Sequence, residues 1–600
     1  MRGRRYPEIA KTGAVLGAFL AVLGFQLLYS IYEGDNTMLS DSVFSLLSFG
    51  AFLFLGLQTV KESPDRRTCL YGLAGGGVFA ALTSMGFSLN YTDTIWHRNT
   101  FLGFLCLTPF FTGCVILALL KIRRKNKEDN KGTDAFSGKE KRRWFLLCWL
   151  FLFLSWVPVL LASWPGIFSY DSGMQLVSFM DGKVTGHHPI LHTCLLGGCM
   201  KIGKLLFGSN YGGAALYSLV QMLVMSGLYA YVCLYLKERF APRWLQIGTF
   251  VFFAVHPINS LMALCATKDS IFGALFAAFL VRLLKIEEDR EGFFGSLPRQ
   301  VCFCLHAFLV FAFRNNGFHT FLLCTPFFLL LFRKYWKRMG ILCLICLMLW
   351  PLYTGPLYRM LGIPKSDPRE MYSVVMQSAA RVYNLDYLGL TEEEKEGFLS
   401  IISEYGMESY LSRFADPVKS QFKGEKFAEN PGPFLKAWVS AGMRHKKIYM
   451  DSFLANTFGY WYPGNSLVKT NDGTDYFEYC CKYIREDVDV EMKPVLPVLS
   501  EFYRRIGNEA SFQHIPVVSA TFNLGTYTWL LLFALMFLLY RRQYGGLTAL
   551  LPLLMYFFTS LLGPIVKMRY HYPLIAGVPL VLYLIWKYAK IEREGRSWTK

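Results

Sequence analysis

RRWFLLCWLFLFLSWVPVLLASWPGIFSYD, residues 142–171, reads as a segment built for lipid. Two arginines precede a run from Trp144 to Ala162 that carries no charge and is apolar on every face. A helix hydrophobic all round needs an apolar surrounding, and about 20 such residues cross a bilayer core. Arginine at one end, and Pro165, Gly166 and Asp171 at the other, read as a membrane span with a basic loop on one side and a turn-rich loop on the other.

The same pattern recurs along the chain. Apolar runs at 13–31, 39–60, 70–90, 98–121, 143–164, 211–236 and 243–263 are predicted spans. Further runs lie at 268–286, 299–314, 317–333, 337–354, 526–540, 546–563 and 570–588, for about 14 in all. The stretch 189–207 is apolar but Gly-rich and holds Lys201 and Lys204, so it reads as an interfacial helix. The N-terminus resembles a signal peptide in its basic start but has no small-residue cleavage site, and is expected to be retained as a first helix. The expected fold is an all-α polytopic membrane protein with a mostly helical extracytoplasmic domain.

Composition agrees. Hydrophobic residues make up 53% of the chain and charged residues 18%, below the roughly 25% of soluble domains. The net charge of +19 does not point to nucleic acid, because of where it sits. Residues 355–525 hold 19 Lys or Arg against 22 Asp or Glu, and the excess of basic residues lies in short loops such as 121–143 and 332–338. Short basic loops beside spans face the cytoplasm. If 189–207 does not cross, every basic loop falls on one side, both termini are cytoplasmic, and the loop 165–188 and the segment 355–525 lie outside. The expected organisation is a four-helix unit (1–125), a cytoplasmic linker (126–142), a membrane core (143–354), an extracytoplasmic domain (355–525) and C-terminal helices with a cytoplasmic tail (526–600). In the outer domain, TEEEKEGFLSIISEYGMESYLSRF (391–414) reads as one helix capped by Thr391. The 15 cysteines lie mostly in apolar runs, with no disulfide or zinc spacing.

Four polar constellations fall on the outer side. Asp171 precedes His187, His188 and Pro189; a carboxylate and two imidazoles suit base, phosphate or metal chemistry, and the plain alternative is a helix cap beside a solvated pair. His256, Asn259, Lys268 and Asp269 follow, the last two at a helix start where a cap and a snorkelling lysine are the plain alternative. Arg314, with Asn315 and Asn316, forms a hairpin tip that reads equally as a polar turn. Lys567, Arg569 and His571 precede the last span; arginine suits phosphate, and an interfacial anchor with Tyr570 and Tyr572 is the alternative. Carboxylates early and cations late suit transfer from a phosphate-linked lipid.

This arrangement resembles the GT-C superfamily of membrane glycosyltransferases, which includes the polyprenyl-phosphate-mannose protein mannosyltransferases. Asp171 matches the Asp of the first outer loop, GHHPILH (186–192) resembles the HPP-like opening of an interfacial helix, ATKDS with Asp269 resembles the second Asp, and Arg569, Tyr570 and Pro573 fit an R-Y-x-x-P pattern. The chain has His187-His188-Pro189 where the family has His-Pro-Pro, and the resemblance spans roughly 143–590. It implies transfer of a sugar from a polyprenyl-phosphate donor to an extracytoplasmic acceptor, a cell-envelope glycan, lipid or protein. Asp171 would be the base, supported by Asp269, His187 and His188. Arg569, with Lys567, His571, Lys268 and Arg314, would hold the donor phosphate. A divalent metal ion stays open as a cofactor, with Asp171, His188 and Asp269 as its candidate ligands. An envelope polysaccharide polymerase or ligase is a second reading, and a lipid or solute transporter a third. Transporters carry internal repeats and ionisable groups at mid-membrane depth, and this sequence shows neither.

Overall fold

A computed structural model describes residues 2–33, 43–124, 137–364, 368–465, 476–482, 484–488 and 490–589. Most of the linker 126–142, the acidic loop after Glu33 and the C-terminal tail beyond Ala589 lie outside the described residues. The described chain is helical, with isolated β-bridges but no strands.

The first four helices are α1 (Arg2–Glu33), α2 (Val43–Lys61), α3 (Arg66–Thr92) and α4 (Arg98–Arg124). The core begins with α5 (Gly138–Ala162), α6 (Ser172–Met180), α7 (Ile190–Phe207) and α8 (Asn210–Glu238). It continues with α9 (Arg243–Val255), α10 (Pro257–Leu264), α11 (Lys268–Glu288), α12 (Leu297–Phe313), α13 (Asn315–Leu331) and α14 (Trp336–Leu352). Ten helices among the described residues are long and apolar enough to cross a membrane, and α9 with α10, bent by 48°, makes an eleventh if counted as one span. The protein is a helical, multi-pass membrane protein.

The expected count of fourteen differs in identifiable places. The run 243–263 is broken because Pro257 has no N–H to continue the helix, and His256 caps the second piece through Nδ1. The expected spans 299–314 and 546–563 correspond to apolar helices shorter than 18 residues. The expected span 268–286 corresponds to α11, which begins with Lys268 and Asp269 and carries Arg282 within it. α11 can carry charge because it is not a lipid-facing helix. It is buried on all sides and packs against α8, α12 and the last helix of the chain. It is the axis of the core.

α5, α8 and α11 fix the two ends of the bundle. Lys141 and Lys285 both reach Glu238, at 3.2 and 3.1 Å, so the start of α5 and the ends of α8 and α11 share one basic end. At the other end Gln221, early in α8, donates to the carbonyls of Met262, Ala263 and Cys265, just before Lys268. α7 is long and apolar enough to cross, yet both its ends stay at this second end. Its first turn meets α8 at Tyr217, and Phe207 meets α8 at Gly212. The two helices cross at Gly203 and Gly213, where a Cβ on Gly203 would lie 2.1 Å from the Gly213 backbone. Glycine there permits the backbone contact. Ile202, Leu205, Leu206 and Phe207 are left exposed along α7.

Residues 355–525 divide between two cores. α15 (Ser373–Leu385), α16 (Glu392–Leu399), α17 (Gly432–Arg444) and α18 (Lys446–Thr457) surround their own apolar cluster, including Met376, Phe398 and Phe434. Tyr476, Phe477, Phe512 and Phe522 instead join the core of the membrane helices, with α19 (Pro497–Asn508) beside them. The single helix expected over 391–414 is shorter. Thr391 is the expected N-cap and with Glu394 forms a capping box, but α16 ends at Leu399, and Ser403 caps a new turn by accepting from Gly406 N–H. The N-terminal unit docks on this domain: Arg413 caps the end of α3 through the carbonyls of Leu89 and Asn90, and Asp451 accepts from Thr94 and Ile95. α20 (Leu524–Arg541), α21 (Leu547–Ser560) and α22 (Met568–Ala589) close the core, with α22 against both α11 and α20.

Candidate functional site

The site is assembled by a pair of extended segments. Ile167 donates to Leu264 O at 3.1 Å, and Ala266 donates back to Ile167 O at 2.8 Å. This parallel bridge sets the loop after α5 beside the segment that opens α11, and so brings Asp171 next to Lys268 and Asp269. Gly166 makes the approach possible. Its φ is +150°, and a Cβ would fall 2.1 Å from Ser218 Oγ, which itself donates to Pro165 O. The late segment clamps the loop from outside: Tyr479 OH donates to Ala162 O, and Lys482 N–H to Phe168 O.

Asp171 stands at the N-cap of α6, yet its side chain makes no capping bond. Its carboxylate turns to two cations. Lys268 Nζ donates to Oδ2 at 2.9 Å, and Arg569 Nη1 donates to the same oxygen at 3.0 Å. Lys268 also lies 3.3 Å from His188 Nδ1, which accepts from it. Burial alone would raise the Asp171 pKa, but Arg569 and then Lys268 outweigh it and hold the carboxyl well below the usual range. Burial, followed by the Lys268 charge, pushes His188 down to about 3, so this imidazole is neutral near pH 7. Burial lowers His187 as well; its ring sits edge-on to His188 at 4.6 Å.

Asp269 forms the second half of the cluster. It ion-pairs with Arg314, accepts from Thr267 Oγ1 at 3.1 Å, and lies 3.7 Å from Arg569. Arg314 is drawn inward from the break between α12 and α13, where its backbone is extended. The guanidinium groups are sandwiched by rings: Arg569 over Tyr170 and Tyr570 at 4.4 and 4.7 Å, Arg314 over Tyr570 at 4.7 Å. Two carboxylates thus face three cations, leaving one positive charge in excess. Nε of Arg314 and Nε of Arg569 are buried without a hydrogen-bond partner. Accessibility separates the carboxylates: the Asp269 side chain is 0% exposed and that of Asp171 21%, so of the two only Asp171 is open to its surroundings.

Of the residues expected from sequence, Asp171, His188, Lys268, Asp269, Arg314 and Arg569 come together, with His187 against His188. Lys567 is buried next to Tyr460, whose hydroxyl accepts its backbone N–H. His571 belongs elsewhere: it is fully buried, stacks on Tyr460 and meets Thr528 Oγ1 at 3.2 Å, within the contact between α22 and α20. His256 and Asn259 serve the break between α9 and α10, where Asn259 donates to Phe252 O and accepts from Tyr572 OH. The candidate metal set Asp171, His188 and Asp269 does not fit a divalent ion. Each carboxylate already faces two cations, and no group of three or more His, Cys, Asp or Glu converges among the described residues.

Two supports were not legible from residue types. Tyr170 holds a left-handed backbone at φ 57°, stabilised by Glu478, whose N–H donates to Tyr170 OH and whose carboxylate accepts from Tyr170 N–H. His192 lies between Gln175 and Tyr217, at 3.0 and 2.8 Å, and Tyr217 donates to Gln221. This row ties α6 and α7 to the carbonyls that precede Lys268. His192 stands four residues after His188, but α7 begins only at Ile190, so the spacing does not set the two rings on one helical face and gives no signal for this row.

A family model described as a family of unknown function, DUF6020, matches residues 180–597, more than half of the chain. No curated protein and no solved structure matches the chain.

Proposed function

We propose, for a chain that belongs to the DUF6020 family, the activity of a membrane glycosyltransferase that moves a sugar from a polyprenyl-phosphate donor to an extracytoplasmic acceptor. The carrying observation is the cluster itself: one reachable carboxylate held by cations whose sum exceeds the acidic charge by one. A polyprenyl-phosphate sugar is a phosphodiester with one negative charge, which matches that excess. Its phosphate would take Arg569 and Lys268 from Asp171, and the freed carboxylate would accept the proton of an acceptor hydroxyl. The hydroxyl oxygen then bonds to the anomeric carbon as the bond from that carbon to the phosphate oxygen breaks. The departing polyprenyl phosphate gains a second negative charge, so the cations bind it more strongly as the reaction proceeds. Asp269 would hold Arg314 and Arg569 in place without touching substrate.

In this reading the cluster lies at the outer leaflet, α7 lies along the membrane surface, fourteen segments cross, and both termini are cytoplasmic. The surface position of α7 is supported by both its ends meeting the same end of α8. The domain formed by α15 to α18 would border acceptor access, since the loop that carries His187 and His188 reaches the segment ahead of it: Gly186 N–H donates to Pro364 O at 2.8 Å.

The test supplies isotope-labelled polyprenyl-phosphate sugars to the full chain in lipid vesicles, with envelope glycan, lipid and peptide acceptors. Labelled acceptor together with free polyprenyl phosphate is the expected product. Intact donor combined with lipid movement across the vesicle would replace the proposal with the transporter reading.

A further inference from the structure

A charged cavity lies at the basic end of the bundle. It has a volume of about 550 Å³ and is lined by Lys141, Arg239, Arg282, Lys285 and Arg299, together with Tyr231. It is distinct from the Asp171 cluster, because Arg282 stands about 21 Å along α11 from Lys268 at 1.5 Å per residue. Four of its cations have acidic partners: Lys141 and Lys285 share Glu238, Arg239 meets Glu288, and Arg299 meets Asp289.

Arg282 does not follow this pattern. Its Nε donates to His306 Nδ1 at 3.2 Å. That nitrogen is therefore an acceptor, and the other, Nε2, is left to donate to Leu275 O at 3.0 Å. His306 is thus a neutral partner, and no carboxylate among the described residues pairs with Arg282. A guanidinium in an apolar helix without a counter-ion is costly unless an anion or water reaches it. The rim is basic, and Arg282 sits about 9 Å from the end of α11, the depth of a headgroup.

We infer that this cavity binds a phosphate group, with Arg282 as its central ligand and Arg239 and Arg299 at its mouth. The phosphate is that of a membrane lipid headgroup or free phosphate from solution; a phosphodiester headgroup fits a cavity of this size. The site needs no sugar transfer and stands apart from the proposed reaction.

The full chain in phosphatidylcholine discs is titrated with fluorescent phosphatidylglycerol in one arm and inorganic phosphate in the other. Binding of phosphatidylglycerol over phosphatidylcholine identifies a lipid headgroup; displacement of the probe by millimolar phosphate identifies the soluble ion. In either case Arg282→Gln should weaken binding about tenfold, the effect of losing one charge-assisted contact, and Arg504→Gln, whose guanidinium pairs with Glu501 and Glu509 outside both sites, should leave it unchanged. Arg299→Gln, a change at the exposed mouth that spares the interior, should weaken binding severalfold and serves if Arg282→Gln does not fold. Equal binding by wild type and both cavity variants, or equal affinity for the two lipids with no effect of phosphate, would overturn the inference.

Discussion

Replacing Asp171 by Asn separates the structural and chemical roles of one carboxylate. The change keeps the shape and removes the charge that Lys268 and Arg569 share. Arg569 retains Tyr570 OH at 2.9 Å and Asp269 at 3.7 Å. Lys268 retains only the neutral His188 among the contacts shown at the cluster. One buried cation is therefore left without a counter-ion, which places the loss of stability near the low end of the range for a broken buried pair, about 3 kcal/mol. The Asp171 pKa is depressed in the folded chain, so its contribution is complete above the unfolded value near 3.9 and is lost as pH falls below it. The stability gap between wild type and Asp171→Asn, read by thermal unfolding in detergent, should stay constant from pH 5 to 8 and close only below about pH 4. Sugar transfer should fall by about 10² to 10⁴, the usual contribution of a general base. Folded Asp171→Asn protein transferring sugar at the wild-type rate would refute the base assignment. A gap that closes already at pH 6 would refute the ion pair.

Arg569→Lys keeps the charge but loses the fork that binds two oxygens, and should weaken donor affinity about tenfold in a binding titration; an unchanged affinity removes Arg569 from the phosphate site. His188 is held near 3 against an unfolded value near 6.5, so its burial in the neutral form destabilises the fold progressively as pH falls from 6.5 toward 3. His188→Gln should flatten the unfolding temperature over that window, and an identical profile would contradict a buried neutral ring. Gly166→Ala places a Cβ against Ser218 at a backbone angle that alanine rarely adopts, and should cost about 1–3 kcal/mol along with transfer activity, since it shifts the loop that carries Asp171. Wild-type stability in that variant would show that the loop is not fixed by this contact.

The membrane helices were legible because length and lack of charge are local properties. α11 was legible as an apolar run, but its central place was not: Lys268, Arg282 and the acidic end make sense only when the surrounding helices are known. The break at His256 could be read from Pro257, whereas the inward turn of Arg314 could not, since an Arg-Asn-Asn tip fits a solvated hairpin equally well. The cluster was legible as residue types at one end of several helices. Its pairing was not, because the bridge between Ile167 and Cys265 joins segments nearly a hundred residues apart. His571 was misplaced for a related reason: two residues along a helix from Arg569 turns the side chain by about 200°, toward Tyr460 and Thr528.

A structure of the full chain with bound polyprenyl phosphate would show whether a lipid-linked phosphate displaces Asp171 from its cations. The expected result has phosphate oxygens within hydrogen-bond reach, about 2.7–3.2 Å, of Arg569 and Lys268, with the Asp171 carboxylate released from at least one of them. Phosphate bound elsewhere, with Lys268 and Arg569 still holding Asp171, would contradict it.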